Sequence, residues 1–514
     1  MIALKKRTRT RRFVRFLVVL SISVVAGLYL LEVDFYRIRP TQHDEYHRPG
    51  VDQAVLDLCQ NKVAPIPAMM KKYAIPGVSV ALVDRQGLLW AASYGYTNCK
   101  QDVPVTRDTS FLICSMSKTF AALTVMCAVR DGLVGLDVPI TNYLPGFTIN
   151  SRFEVDPQNK ITLRHLLNHT SGLSHVAPIG NSKQPSYGSL AEHANSIRNT
   201  WLRFPVGAEY SYSGAGYDLA TYIIEVRLEQ PFADYLEENV LIPLRMPRTT
   251  VDKGTIEART NQAVGRYPHM NKLALASDVP WVGAGGVYSC ANDLAKLIQF
   301  FLNWGVVEGQ SLLGEEDILA MYTPSTHQNY GLGVSIGEMA VWHAGKGLGF
   351  ESIMAWSPEY GIGCVVLTNT EGYDDRASWH LDWTRDMLRT MIDSGLVDKI
   401  EHKRPSRIDR NTDGADRYQP PDPDTFTPYQ ASWEKYVGSY DYVLRSYELR
   451  NYARIAVTFG YPTGGPEVKQ IDGYLCIDGI RLDEYRPGLF FTALGDCLDF
   501  TGRSPRWNNH ELNK

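Results

Sequence analysis

Ser115 and Lys118 stand three residues apart in Phe-Leu-Ile-Cys-Ser-Met-Ser-Lys-Thr-Phe, residues 111–120. A helix starting at Ser115 would carry Lys118 one turn on, on the same face. A free serine hydroxyl is a weak nucleophile. A lysine amine held beside it in a partly desolvated pocket loses basicity and can take its proton. A hydroxyl at a helix N-terminus also lies where backbone N–H groups can stabilise an oxyanion. The chemistry these two residues suggest is acyl transfer through a serine ester. Alone, the same spacing equally fits a capped surface helix, so the surrounding sequence has to decide.

The elements around the pair follow from periodicity. Phe120, Leu123 and Cys127 recur at i, i+3 and i+7 before Gly132, the pattern of a helix with its stop. Phe204–Tyr217 is rich in Pro, Gly and Ser and reads as a loop leading to a helix from about Tyr217. Trp342-His343-Ala344-Gly345-Lys346-Gly347 is followed by strand-like runs at Ser352–Trp356 and Gly363–Leu367, an antiparallel meander with His343 near a strand end. Leu294, Leu297, Ile298, Phe301 and Leu302 mark a core helix. His165 and His169 lie at i, i+4, a metal-binding spacing. No Glu follows the first His, and both read as structural in a helix capped by Thr162. Gly283, Gly285 and Gly286 are not followed by Gly-Lys-Ser/Thr, so they read as tight backbone near a cleft rather than a phosphate loop.

Taken in order, these stretches resemble the serine hydrolases of the class C β-lactamase and penicillin-binding-protein type, the peptidase S12 group. Their pattern is Ser-x-x-Lys, then Tyr-x-Asn, then Lys-Thr-Gly or His-x-Gly. Ser115 and Lys118 match the first motif, Tyr212-Ser213-Gly214 the second, and His343-Ala344-Gly345 the third. Ile161–Leu173 and Gly285–Ser289 add two more family-like stretches, and the resemblance spans residues 60–395. It implies an α/β fold, an antiparallel sheet flanked by helices plus a helical lobe, with the cleft between them. It also implies a mechanism. Ser115 is the nucleophile, Lys118 its base, and Tyr212, rather than Tyr210, delivers the proton to the leaving group. Backbone N–H groups of Ser115 and Lys346, beside Gly345, form the oxyanion hole. His343 supports the leaving group or substrate, and no metal or organic cofactor takes part. Gly214 stands where many members carry Asn, and His343 where β-lactamases carry Lys. Both departures argue for an esterase, peptidase or acyltransferase over antibiotic hydrolysis. The acyl substrate is then a small molecule or a peptide. The alternatives are acyl transfer to a hydroxyl of a natural product, and a non-catalytic binding protein of the same fold.

Size and charge bound the rest. A chain of 514 residues, 44% hydrophobic and 21% charged, is globular with more than one domain. Its net charge of −4 gives no electrostatic case for nucleic acid. Basic residues from Lys5 to Arg15 precede the uncharged apolar run Phe16–Leu31. With no small-x-small cleavage site after it, this reads as a single-pass signal anchor, the catalytic part lumenal or extracellular. Secretion after cleavage is the alternative. The expected organisation is residues 1–40 as basic segment and anchor, 41–395 as the hydrolase domain, 396–430 as linker and 431–514 as a small antiparallel β-domain. The short strands expected in that domain are Tyr436–Tyr442, Ala453–Phe459, Gly473–Ile477, Leu489–Thr492 and Leu498–Thr501. Cys476 and Cys497 appear there in adjacent segments, where a lumenal site would permit pairing.

Overall fold

The β-branched and apolar runs at Gly77–Asp84 and Gly87–Gly95 are separated by only Arg85 and Gln86, so they pair as a hairpin. In the computed structural model this hairpin is β2 and β3, and Gln42–His47 is β1 at the sheet edge. The sheet continues with β4 (Ser335–Ile336), β5 (Val341–Gly347), β6 (Phe350–Ser357) and β7 (Ile362–Thr368). The order is β1-β3-β2-β7-β6-β5-β4, antiparallel throughout. The structure describes residues 38–98, 102–180, 188–266, 279–371, 379–397, 418–442, 464–502 and 504–513. From Pro40 onward the chain forms one compact unit.

The described helices that position the site are α1 (Ser117–Arg130), α2 (Leu163–Leu167), α3 (Leu190–Ser196), α4 (Gly214–Leu228), α5 (Val282–Gly285), α6 (Ala291–Leu302) and α7 (Trp379–Asp393). Strands β6 and β7 are buried at nearly every residue, which requires cover on both faces. Successive residues of β7 show the two layers. The Gly363 backbone meets Ile298 of α6, and the Cys364 thiol donates to the Thr384 carbonyl of α7. Helix α1 is buried at every residue from Ser117 to Ala128 rather than along one stripe, so it is the central helix of the core. Its sequence has no polar face to turn outward.

Two element starts differ from expectation. A short 3-10 turn, Cys114–Met116, carries Ser115, and α1 proper starts at Ser117. Helix α4 begins three residues before Tyr217, because the Ser213 hydroxyl accepts from Gly216 N–H and caps it. As expected, Thr162 caps α2, accepting from His165 N–H, but the helix ends at Leu167 and His169, expected within it, lies beyond it with φ 64°.

The C-terminal part is a nine-stranded antiparallel sheet. Its strands are β8 (Gly438–Tyr442), β9 (Gly464–Ile471), β10 (Tyr474–Ile477), β11 (Ile480–Arg481), β12 (Asp483–Arg486), β13 (Leu489–Phe491), β14 (Cys497–Asp499), β15 (Arg506–Trp507) and β16 (His510–Asn513). They run in the order β11-β10-β9-β8-β16-β15-β14-β13-β12. The expected strand Ala453–Phe459 lies outside the described residues. Cys476 on β10 and Cys497 on β14 are not neighbours: β9, β8, β16 and β15 stand between them, and both thiols are free. The pairing is therefore corrected. Adjacency in sequence order misled because the sheet closes through β8 and β16 rather than in chain order.

The end of the expected linker is not a free tether. Tyr418 stands edge-on to Phe153, 6.0 Å between ring centroids, and Phe426 is buried. Further ties join the C-terminal sheet to the helical lobe. Arg203 pairs with Asp496 at 3.0 Å, and Trp201 packs edge-on to Phe491 at 5.5 Å. Asn509, at the β15–β16 turn, donates from its amide to Ser174 Oγ at 2.8 Å and to the Val176 carbonyl at 3.0 Å. Among the described residues no helix is long and apolar enough to cross a membrane. The expected anchor, Phe16–Leu31, lies outside them.

Candidate active site

Ser115 sits where α1 meets the edge of the sheet. Its predecessor Cys114 has φ 49°, a left-handed conformation that costs a non-glycine residue about 1–3 kcal/mol and needs surrounding structure to hold it. That structure is dense. Ile113 N–H donates to the Val287 carbonyl at 3.0 Å, and Val287 N–H donates to Ser117 Oγ at 3.0 Å. Ser352 Oγ donates to the Ile113 carbonyl at 2.8 Å, and the Cys114 thiol donates to the Gly347 carbonyl at 3.2 Å. Strand β5 approaches so closely that a Cβ on Gly345 would lie 2.0 Å from the Ile113 carbonyl oxygen. Glycine in the His-x-Gly motif is therefore a packing requirement. It brings the main chain of Lys346, between Gly345 and Gly347, to the nucleophile turn. The Lys346 side chain points to Glu351, 3.5 Å away.

Lys118 is 2% exposed. Its Nζ lies 3.4 Å from Ser115 Oγ and donates to the Ala284 carbonyl at 2.6 Å. The same ammonium lies 4.8 Å from the ring centre of Tyr212 and 5.6 Å from that of Tyr217. Among the described residues it has no carboxylate partner. Two acceptors and two aromatic faces, each face worth about 0.5–2 kcal/mol, stand in for one.

The other wall is aromatic. Tyr212 packs on His169 at 4.4 Å and on His175 at 5.6 Å between ring centroids. Tyr210 and Tyr330 also contact His169, at 5.6 Å and 4.7 Å. Tyr210 and Tyr212 thus face the same side, as residues i and i+2 of an extended segment do. Burial holds His169 well below the ordinary histidine range, with Lys118 adding repulsion, so it is neutral. Its Nδ1 accepts from Ser213 N–H at 3.0 Å.

His343 is placed differently from expectation. Its Nδ1–H donates to the Ala344 carbonyl at 2.8 Å, and its Nε2 accepts from the Tyr330 hydroxyl at 3.0 Å. Burial, then the Lys118 charge, pushes its pKa down to about 3. Both nitrogens are occupied within the protein, so His343 reaches the site through Tyr330 rather than as a free donor to substrate. Burial also pushes the Tyr330 hydroxyl up. Gly214 donates its N–H to the His175 carbonyl at 2.9 Å, and a Cβ there would lie 3.1 Å from that oxygen and 3.4 Å from the Ala284 methyl. A side chain there would press on the His175 carbonyl, which would have to give by a few tenths of an ångström.

The structure therefore brings Ser115, Lys118, Tyr212, Gly345 and the Lys346 main chain to one place, and seats His343 behind Tyr330. Sequence reading missed Tyr330 and Ala284. Tyr330 belongs to no motif, and Ala284 acts through its main chain, which side-chain identity does not reveal. The glycines beside Ala284 were the available signal. A Cβ on Gly283 would lie 2.4 Å from a Thr221 methyl, and one on Gly285 2.8 Å from the Trp281 ring.

This arrangement, a Ser-x-x-Lys turn and helix start against strand β5 under a helical lobe, defines a serine acyl-enzyme scaffold of the β-lactamase/transpeptidase type. A family model described as Beta-lactamase matches residues 64–385, and the chain belongs to that family. Its members are serine hydrolases. The Staphylococcus aureus (strain MW2) relative "Protein flp" is 25% identical over 324 residues, covering 58% of this chain and 61% of that protein. Penicillin-binding protein 4* of Bacillus subtilis (strain 168) is 29% identical over 168 residues, 32% of this chain and 35% of that one. The chain thus matches less than two thirds of the length of these relatives. Among solved structures, a β-lactamase/D-alanine carboxypeptidase from Yersinia pestis superposes with a TM-score of 0.55 at 22% identity, covering 66% of this chain and all (100%) of that one. A class C β-lactamase from Rhodobacter sphaeroides gives 0.54 at 20% identity, over 65% and 99%. At such identity these structures establish the fold.

Proposed function

We propose that this chain is a serine hydrolase that works through an acyl-enzyme on an ester, amide or peptide substrate. The observation that carries it is the Lys118 amine, buried, fixed by the Ala284 carbonyl and 3.4 Å from the Ser115 hydroxyl. In its neutral form the Lys118 amine takes the Ser115 proton as Oγ attacks the substrate carbonyl. The oxyanion forms against the main chain of Ser115 and Lys346. The C–O or C–N bond to the leaving group breaks, and that group takes a proton by way of Tyr212. Water then attacks the ester, releasing the acid and restoring the serine.

Crowding at Gly214 and the enclosed neutral His343 support substrates other than β-lactams. Nitrocefin turnover is expected to be slow or absent, and a kcat on the order of 10² per second or more would overturn that. The relatives' names make D-amino-acid amides worth testing beside acyl esters. Transfer to a hydroxyl acceptor remains the second reading, and product analysis in water against added alcohols separates it from hydrolysis. The decisive experiment is Ser115→Ala with a fluorophosphonate probe and an acyl-ester panel. Labelling and turnover should both vanish while the melting temperature holds. Turnover above about a tenth of wild type would sink the assignment.

The basic Lys5–Arg15 cluster before Phe16–Leu31 supports a membrane-anchored chain with its catalytic part lumenal or extracellular. Protease protection on intact microsomes tests this: a C-terminal tag digested without detergent would place the domain in the cytosol.

A further inference from the structure

Asp218 on α4 is 1% exposed, and its carboxylate is used at both ends. Oδ1 accepts from Ala284 N–H at 2.9 Å. Oδ2 lies 3.1 Å from His193 Nε2 on α3, a side chain as buried as its own. On the far side, His193 Nδ1 lies 2.5 Å from the Ile179 carbonyl. That oxygen can only accept, so Nδ1 carries a hydrogen. A carboxylate also only accepts, so Nε2 carries the second hydrogen, or else the carboxyl itself holds it. In both cases Oδ1 remains an acceptor for Ala284. Ala284 is the same residue whose carbonyl fixes Lys118 Nζ at 2.6 Å. Helix α5, which carries it, has four residues and little hold of its own.

We infer that the buried His193–Asp218 pair is the positioning device for the Lys118 amine, acting through both main-chain groups of Ala284. This inference rests on the Ser115–Lys118 reading above. The linkage runs from the Ile179 carbonyl, at the protein surface, through His193, Asp218 and Ala284 to Lys118, and each step from His193 inward is a hydrogen bond between buried groups. Neither His193 nor Asp218 touches substrate. Their effect is on where the amine stands relative to Ser115 Oγ, and misplacement of about 1 Å can lower a rate by 10²-fold.

The test uses the full-length protein and a fluorophosphonate probe, reading two quantities: the fraction of chains finally labelled and the second-order labelling rate per labelled site. Loss of folding lowers the first. Loss of positioning lowers the second. Asp218→Leu, similar in volume but without an acceptor, should lower the rate about 10²-fold at an unchanged labelled fraction. Asp218→Asn, whose carbonyl still accepts from Ala284, should recover it to within about tenfold of wild type. His193→Gln weakens the tie from its other end and should cost about tenfold, which keeps the test alive if the Leu variant does not fold. Rates of the Leu and Gln variants within about threefold of wild type, or an Asn variant as slow as Leu, would overturn the inference. A Ser115→Ala chain that still labels would instead overturn the underlying reading.

Discussion

Ser115 and Lys118 on one side of the cleft are fixed by main-chain groups: the carbonyls of Ile113, Ala284 and Gly347 and the N–H of Val287. Tyr212 on the other side is fixed mostly by rings, those of His169, His175 and Tyr330. Hydrogen bonds to backbone are directional and lose their geometry abruptly. Ring packing yields more gradually, because each contact tolerates several tilts. The nucleophile side should therefore respond to small steric changes, and the aromatic side to changes of charge.

The largest effect is expected from acid, which attacks the aromatic side. In the unfolded chain histidine takes a proton below about pH 6.5. Folded His343 resists until about pH 3, and His169 is also held well below its ordinary value. Between those limits the unfolded state binds more protons, so stability falls as pH falls, by about 1.4 kcal/mol for each unit of depression. Melting temperatures measured from pH 7 to 4 should drop steadily, and His343→Gln should flatten the slope. A flat wild-type profile would show that these histidines are not held neutral.

Gly345→Ala strikes the other side. Its Cβ would lie 2.0 Å from the Ile113 oxygen and 2.6 Å from Ser352 Oγ. Overpacking of this kind costs about 3 kcal/mol, and the shift falls on the nucleophile turn. Denaturant melts should show that loss, with acyl-ester turnover lowered by about 10²-fold. A variant of ordinary stability and rate would mean that β5 can retreat freely.

Tyr212→Phe keeps the ring and removes the hydroxyl. If Tyr212 is the proton carrier, kcat should fall about 10²-fold, while Tyr210→Phe stays within about threefold. A larger loss at Tyr210 would exchange their roles. The smallest effect belongs to Tyr330→Phe, which leaves His343 Nε2 buried without its donor. A loss of about 1–3 kcal/mol in stability is expected, with less change in rate than at Tyr212.

Much of the nucleophile side was legible because its motifs are local. Ser115 and Lys118 share a turn, and Gly345 falls two residues after His343. The core helix Ala291–Leu302 and strands β6 and β7 could be read from their apolar periodicity. Elements defined by distant partners were less readable. Strand β1, with His43, Asp44, Glu45 and His47, has no apolar alternation and exists because it pairs with Trp90–Tyr94. Strand β9 contains Pro466, Glu467, Lys469 and Gln470 and reads as a turn until β8 and β10 flank it. His193 and Asp218 sit on different helices, and only folding makes them a pair.

Asn509 gives the tie between the β15–β16 turn and the Ser174–Val176 segment a consequence in time. That segment carries His175, whose carbonyl takes the N–H of Gly214 and whose ring lies against Tyr212. Residue 509 is translated nearly four hundred positions after Ser115. At about 5–20 residues per second, the nucleophile precedes the last brace of its neighbour by roughly 20–80 s. During that interval a nascent chain carries the serine and its lysine while the Ser174–Val176 segment beside Tyr212 has yet to receive the Asn509 amide.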